Sequence, residues 1–171
     1  MLVSIKALNI TWPLRPGHMP RTKWPHVDQS PLRKGLQCVQ RIVDLSQAGP
    51  NDGGLTVDPG SHKAPEPFSV EHTYKSIWSR KDFYTDIPEE ISWFEKQRFH
   101  GHKVVAELGD LIIWDSRLIH YGAEPTKKSN TIRMVVYISY APAALASQAA
   151  FLAKNWPHDD IKPKIKFSFA P

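Results

Sequence analysis

Along most of the chain, short stretches rich in β-branched and aromatic residues are punctuated by proline and glycine, which favours an all-β core. A period of two is that of a β-strand, whose successive side chains point to opposite faces. The stretches are LVSIKALNITW (2–12), GLQCVQRIVDL (35–45), GGLTVDP (53–59), HKVVAEL (102–108), DLIIWDS (110–116) and TIRMVVYISY (131–140). Further strand-like pieces surround His26 and His120. In TIRMVVYISY the period puts Arg133, Val135 and Tyr137 on one face and Ile132, Met134, Val136 and Ile138 on the other. Gly109-Asp110 is a turn signal just before LIIW.

Two regions break the pattern. Residues 64–101 mix aromatic and charged residues without a clean period, which predicts an irregular insert with short helices. The alanine-rich run PAALASQAAFLAK (142–154) predicts a helix. Roughly eight strands with late helices predict a mainly β fold, a double-stranded β-helix (jelly-roll, cupin-like) core with a few flanking helices. With no repeat and no linker, residues 1–171 read as a single domain.

Composition narrows the function classes. The chain of 171 residues, 41% hydrophobic and 23% charged, can bury a real core. No apolar run reaches membrane-spanning length, and the N-terminus lacks the pattern of a signal peptide. A single cysteine, Cys38, excludes an intramolecular disulfide and fits a reducing compartment, so the expected location is cytoplasmic. The net charge of +5 comes from scattered basic residues with no nucleic-acid motif beside them. A small-molecule partner is therefore expected, rather than nucleic acid or membrane; oligomeric state is not set by these features.

WPHVDQ places His26 and Asp28 two residues apart, on one face of a strand and about 6–7 Å apart at Cα, where both can reach one metal ion. Taken alone the pair reads as well as two polar residues near a turn. GDLIIWDSRLIHYGAEP adds His120 on a later strand-like piece. A hairpin turning between Thr126 and Lys127 sets His120 opposite Arg133, two cationic side chains that need an anion or a metal between them. Alternatively, Arg133 is a strand arginine paired with an acidic residue. Two histidines and one carboxylate on one face of a metal leave three positions open, the arrangement of non-haem Fe(II) oxygenases. A forked arginine suits the distal carboxylate of a 2-oxo acid.

The other histidines offer a rival. His100-Gly-His102 followed by Glu107 matches the start of the cupin metal motif, but Phe94 and Trp114 stand where its flanking glycines belong. His62, in PGSHK, is expected to stabilise a turn, and His18, His72 and His158 read as surface residues. Cys38 reads as a small core residue. Neither a nucleophile elbow nor a phosphate-binding glycine loop occurs.

Four segments in this order, WPHVDQ, NDGGLTVDPGSHK, GDLIIWDSRLIHYGAEP and NTIRMVVYIS, resemble the phytanoyl-CoA dioxygenase family of Fe(II)- and 2-oxoglutarate-dependent oxygenases, its fungal members most of all. The resemblance runs from about Leu2 to Asn155-Trp156-Pro157. It implies His26, Asp28 and His120 as iron ligands, with no further catalytic residue, and Arg133 as the anchor of 2-oxoglutarate. Gln37, preferred to Gln40, and Thr131 are expected to assist that cosubstrate, and Trp24 and Trp114 to line the pocket. With O₂ as the other cosubstrate, the implied reaction hydroxylates a small organic substrate and releases succinate and CO₂. Family members carry a long region before the segment matching LVSIKALNITW, whereas this chain starts almost at it. The expectation is thus a shortened member, the alternative being a non-catalytic β-sandwich that binds a ligand or partner.

Overall fold

The computed structural model describes residues 2–19, 21–30, 33, 35–63, 84–85, 92–94, 96, 99–142, 144 and 165–168. Its strands are β1 (Leu2–Thr11), β2 (His26–Val27), β3 (Val39–Asp44), β4 (Gly54–Val57), β5 (Tyr84–Thr85), β6 (His102–Lys103), β7 (Leu111–Asp115), β8 (His120–Ala123), β9 (Arg133–Ala141) and β10 (Ile165–Ser168). They form two five-stranded sheets, in the orders β10-β1-β9-β3-β7 and β5-β2-β8-β4-β6. All pairings are antiparallel except that of β1 with β10. The chain crosses repeatedly from one sheet to the other, which is jelly-roll order and matches the expected fold class.

Alternation explains why these segments pair and which face they bury. Along β3 the burial alternates residue by residue, with Gln40, Ile42 and Asp44 inward. On β9, Arg133, Val135 and Ser139 are buried while Met134 is exposed, as the period requires. Ile42 from β3, Leu55 from β4, Trp114 from β7 and Val135 from β9 form one buried cluster, so the two sheets meet through it. A smaller cluster of Phe94 and Ile119 packs on Val27 behind β2 and β8. Gly109 makes the turn into β7 with a φ of +92°, a conformation that favours glycine. Its N–H donates to the Asp44 carbonyl.

Several expected elements differ. The hairpin between β8 and β9 does not form, because β8 pairs with β2 and β4 while β9 pairs with β1 and β3. The breaker segment docks elsewhere instead. Thr126 donates its N–H to the Asn51 carbonyl and its hydroxyl to the Asn51 side chain, while Ser129 bonds Asp52, carrying the chain across to the other sheet. The stretch 102–108 contributes only the two-residue β6 and a bridge from Ala106 to Ala48. Most of the insert over 64–101 and of the helix over 142–154 lies outside the described residues. No helix among those described is long and apolar enough to cross a membrane.

Ile42 is 1% exposed at the centre of the main cluster. Ile42→Ala should lower unfolding free energy by about 2–5 kcal/mol, read as a shift in urea midpoint at unchanged slope.

Candidate metal centre

β8 lies between β2 and β4, and its first residue, His120, is the cross-strand partner of both His26 and Val57. The two rings meet with centroids 4.3 Å apart. This register, rather than a hairpin with Arg133, is what brings the two histidines together. Two further contacts fix it from outside the sheet. The Ile119 N–H donates to the buried Ser61 hydroxyl at 2.9 Å, and the Asp28 N–H donates to the Ser116 carbonyl at 2.9 Å. Ser61 sits in the expected PGSHK turn, and it, rather than His62, reaches across to β8.

Both imidazoles are held in the same way. His26 Nδ1 lies 3.1 Å from the Trp24 carbonyl, and His120 Nδ1 lies 2.9 Å from the Leu118 carbonyl. A carbonyl only accepts, so each Nδ1 carries the proton and each Nε2 is directed towards Asp28. His26 Nε2 is 3.8 Å from one Asp28 carboxylate oxygen and His120 Nε2 is 3.6 Å from the other. These distances are too long for hydrogen bonds. The three donor atoms lie within 4.8 Å of one another, the one His/Cys/Asp/Glu group of this kind among the described residues. Donors bound to one ion at bonds of about 2.1 Å stand roughly 3 Å apart when adjacent, so a slight contraction closes the set on a divalent metal. The ordering of the rings by backbone carbonyls is the usual outer support of metal-binding histidines.

The loop that carries Asp28 is fixed by Gln29, a buried residue that sequence reasoning missed. Its amide nitrogen donates to the carbonyls of Arg33 and Gly35, and its oxygen accepts from the Gln37 N–H and the Ser116 hydroxyl. Trp24, 47% exposed, stacks on His26 at 4.2 Å with the planes 2° apart, while the buried Trp114 meets His120 edge-on at 5.2 Å. Both tryptophans therefore touch the ligand rings, and Trp114 is also part of the core.

Arg133 is buried and ion-paired with Asp44, its terminal nitrogen 2.9 Å from Asp44 Oδ1. Its Nε is buried without a hydrogen-bond partner, as are Asp44 Oδ2 and Lys103 Nζ. Burial pushes the Asp44 carboxyl above its ordinary range, with Arg133 pulling against it. Burial likewise raises the Tyr137 hydroxyl, which bonds Arg133 and feels Asp28 as well. A cavity of about 370 Å³ reaches Thr11, Trp24, Gly54, Tyr121, Arg133 and Tyr137.

The helper residues fall differently. Gln37 precedes β3, and its backbone is tied to Gln29. Gln40 is on the buried face of β3, where it accepts a hydrogen bond from Ser139 at 2.6 Å. Thr131 precedes β9 and its hydroxyl bonds the chain's own Asp52. His100 and His102 are exposed and not part of the donor group, with His102 on the short strand β6, two strands over from His120. His18 is not a surface residue: its side chain is 3% exposed and lies 3.0 Å from Glu124 beside the cavity. A polar flank misled that reading, because the hydrogen bond to Glu124 lets the ring be buried. His72 and His158 lie outside the described residues. Cys38 is half-buried just before β3.

No family model matches the chain. It is 30% identical over 168 residues to Ava biosynthesis cluster protein O of Aspergillus versicolor, an alignment covering 95% of this chain and 54% of that protein. The chain thus spans about half the length of that relative. It aligns with EctD from S. alaskensis, solved with 2-oxoglutarate and 5-hydroxyectoine, at 19% identity and a TM-score of 0.53, over 83% of this chain and 45% of that one. It also aligns with the epimerase SnoN, solved with Fe3+, alpha ketoglutarate and nogalamycin RO, at 17% identity and a TM-score of 0.54, over 90% and 56%. These likenesses show the fold, a jelly-roll shared with enzymes solved with 2-oxoglutarate.

Removing a donor should abolish divalent-metal binding, measured by calorimetric titration of Co(II). His120→Ala should cost more than the roughly 10–100-fold lost with an outer-shell partner. The double change His100→Ala with His102→Ala should leave affinity unchanged.

Burial and the neighbouring Arg133 lower the Lys103 pKa to about 8 from 10.5, against Asp52 and Asp44. Above that value the folded lysine is neutral while the unfolded one is still charged, so the unfolded chain binds more protons and stability rises with pH. Stability should therefore climb from about pH 8 towards 10, the ordinary value of Tyr137, whose raised pKa works in the opposite direction beyond it. Urea midpoints across this window should rise for the wild type and stay flat for Lys103→Met.

Proposed function

We propose that the chain is the jelly-roll core of a non-haem Fe(II)- and 2-oxoglutarate-dependent oxygenase of the phytanoyl-CoA dioxygenase type, on a double-stranded β-helix. The observation that carries the reading is a donor set of His26, Asp28 and His120 in a molecule that also buries an arginine Nε without a hydrogen-bond partner. The donor set fits iron in both chemistry and geometry: two neutral nitrogens, one carboxylate, and three positions left for other ligands. Bound iron, with 2-oxoglutarate and O₂, supplies oxidising power by coupling loss of CO₂ from the oxo acid to oxidation of the substrate.

The chain's own residues bind and orient. His26 and His120 present their Nε2 atoms because the Trp24 and Leu118 carbonyls hold each Nδ1 proton. Asp28 supplies the negative charge that an incoming cation needs. Arg133 offers its Nε to the distal carboxylate of 2-oxoglutarate while Asp44 holds its other end in place. Tyr137, bonded to Arg133, steers the space between anchor and metal. Gln40, on the buried face, is better placed than Gln37 to face the cosubstrate. Trp24, half in solvent over His26, forms the wall that a small organic substrate meets first, and Trp114 forms the floor.

Hydroxylation of a small organic molecule is the default outcome, with succinate and CO₂ as co-products. A solved neighbour is an epimerase, so the same core serves more than one oxidative outcome. The single cysteine is consistent with work in the cytoplasm.

Adding 2-oxoglutarate to anaerobic Fe(II)-loaded protein should raise a visible metal-to-ligand charge-transfer band, and Asp28→Ala should remove it. Folded protein that binds iron but shows no band with 2-oxoglutarate would sink this reading.

A further inference from the structure

Lys103, the second residue of β6, pairs with Thr56 of β4, and no pattern along the chain singles it out. Its Nζ is buried and has no hydrogen-bond partner. A Cβ built on Gly54 would stand 2.7 Å from Lys103 Nζ and 3.0 Å from Arg133 Nε. The two partnerless nitrogens therefore converge on the same bare face of the same glycine. Gly54 holds a φ of +149°, which side chains rarely adopt, so both backbone shape and crowding keep a side chain off this position. Gly54 and Arg133 also line the cavity.

Charge gives the gap its preference. Arg133 spends one terminal nitrogen on Asp44, and the Asp52 carboxylate is engaged by Ser129, Thr131 and the Gly49 N–H. Neither acid bonds Lys103. Two buried cations side by side cost free energy unless an anion joins them. An oxygen standing over Gly54, clear of its Cα, comes within reach of both nitrogens by a small shift.

We propose that Lys103 is a positioning residue for the cosubstrate: with Arg133 it forms a two-cation clamp over Gly54 that grips the distal carboxylate of a five-carbon 2-oxo diacid. The inference rests on the function proposed above and adds to it. Arg133 alone supplies one free Nε; the clamp supplies two donors from different strands, β6 and β9, converging on one carboxylate. Selection for a dicarboxylate over a simple 2-oxo acid follows, because a monoacid leaves Lys103 Nζ and Arg133 Nε without a partner.

The test compares 2-oxoglutarate with 2-oxobutanoate, which chelates a metal in the same way but lacks the distal carboxylate. Both are titrated calorimetrically into Co(II)-loaded wild type, Lys103→Met and Lys103→Gln, with thermal midpoints recorded for each. The expected result is a loss of 2-oxoglutarate affinity of about tenfold or more in both variants, with 2-oxobutanoate affinity unchanged. The thermal midpoint should hold or rise in Lys103→Met, since a buried unpaired charge has gone. Unchanged 2-oxoglutarate affinity in either folded variant overturns the clamp and leaves the proposed function standing. Equal loss of both ligands with a lowered midpoint also overturns it, making Lys103 a structural residue. Wild type that binds Co(II) but neither oxo acid overturns the proposed function itself.

Discussion

The cross-strand register that sets His26 opposite His120 constrains everything else at the centre. Successive strand residues face opposite ways, so a slip by one position would turn His120 outward and bring Tyr121 or Ile119 in its place. β8 is therefore pinned on both sides: by Val57 of β4 across from His120, and by Ser61 holding the Ile119 N–H. On the other flank, Ser116 joins the two halves twice, through its carbonyl to the Asp28 N–H and its hydroxyl to Gln29. The strands that carry the ligands are short, β2 having only two residues. Their placement is thus a property of loops and buried hydroxyls more than of sheet length.

Buried charge is the second theme. Arg133, Asp44, Lys103 and Tyr137 are ionisable groups in or beside the core, and only part of their hydrogen-bonding capacity is met. A well-packed apolar set would be more stable there. Proteins keep such arrangements where the charge has something to hold, and here Arg133, one of the residues with an unmet donor, lines a cavity. Stability and recognition pull apart at this spot.

Much of this was legible in the sequence, for physical reasons that differ from residue to residue. The short stretches rich in β-branched residues located β1, β3, β4, β7 and β9 closely, and along β3 and β7 the burial alternates as one buried face requires. Arg133 was correctly placed on the inward face with Val135 and Tyr137 for the same reason. Partnership across the sandwich was not legible. Proximity in sequence favoured a hairpin from His120 to Arg133, yet the segment between them is held by Asn51 and Asp52, distant residues whose effect no local pattern reveals. Tyr137 stood four residues from Arg133 on the same face and could have been found by the alternation already in hand. Gln29 and Lys103 were hidden beside more conspicuous neighbours, Asp28 and His102, and burial alone marks them out.

β2 and β8 are far apart in the chain, and they meet only after β3, β4, β5, β6 and β7 have been laid down between them. Contacts of such long sequence separation form late, since loop closure must be met before they reward it. A partly folded chain therefore has no metal centre to offer. On the function proposed above, capture of an ion would act as the final latch of folding and withdraw chains from the open population by mass action. A shortage of that metal would then show first as a loss of intact protein, before any question of turnover arises.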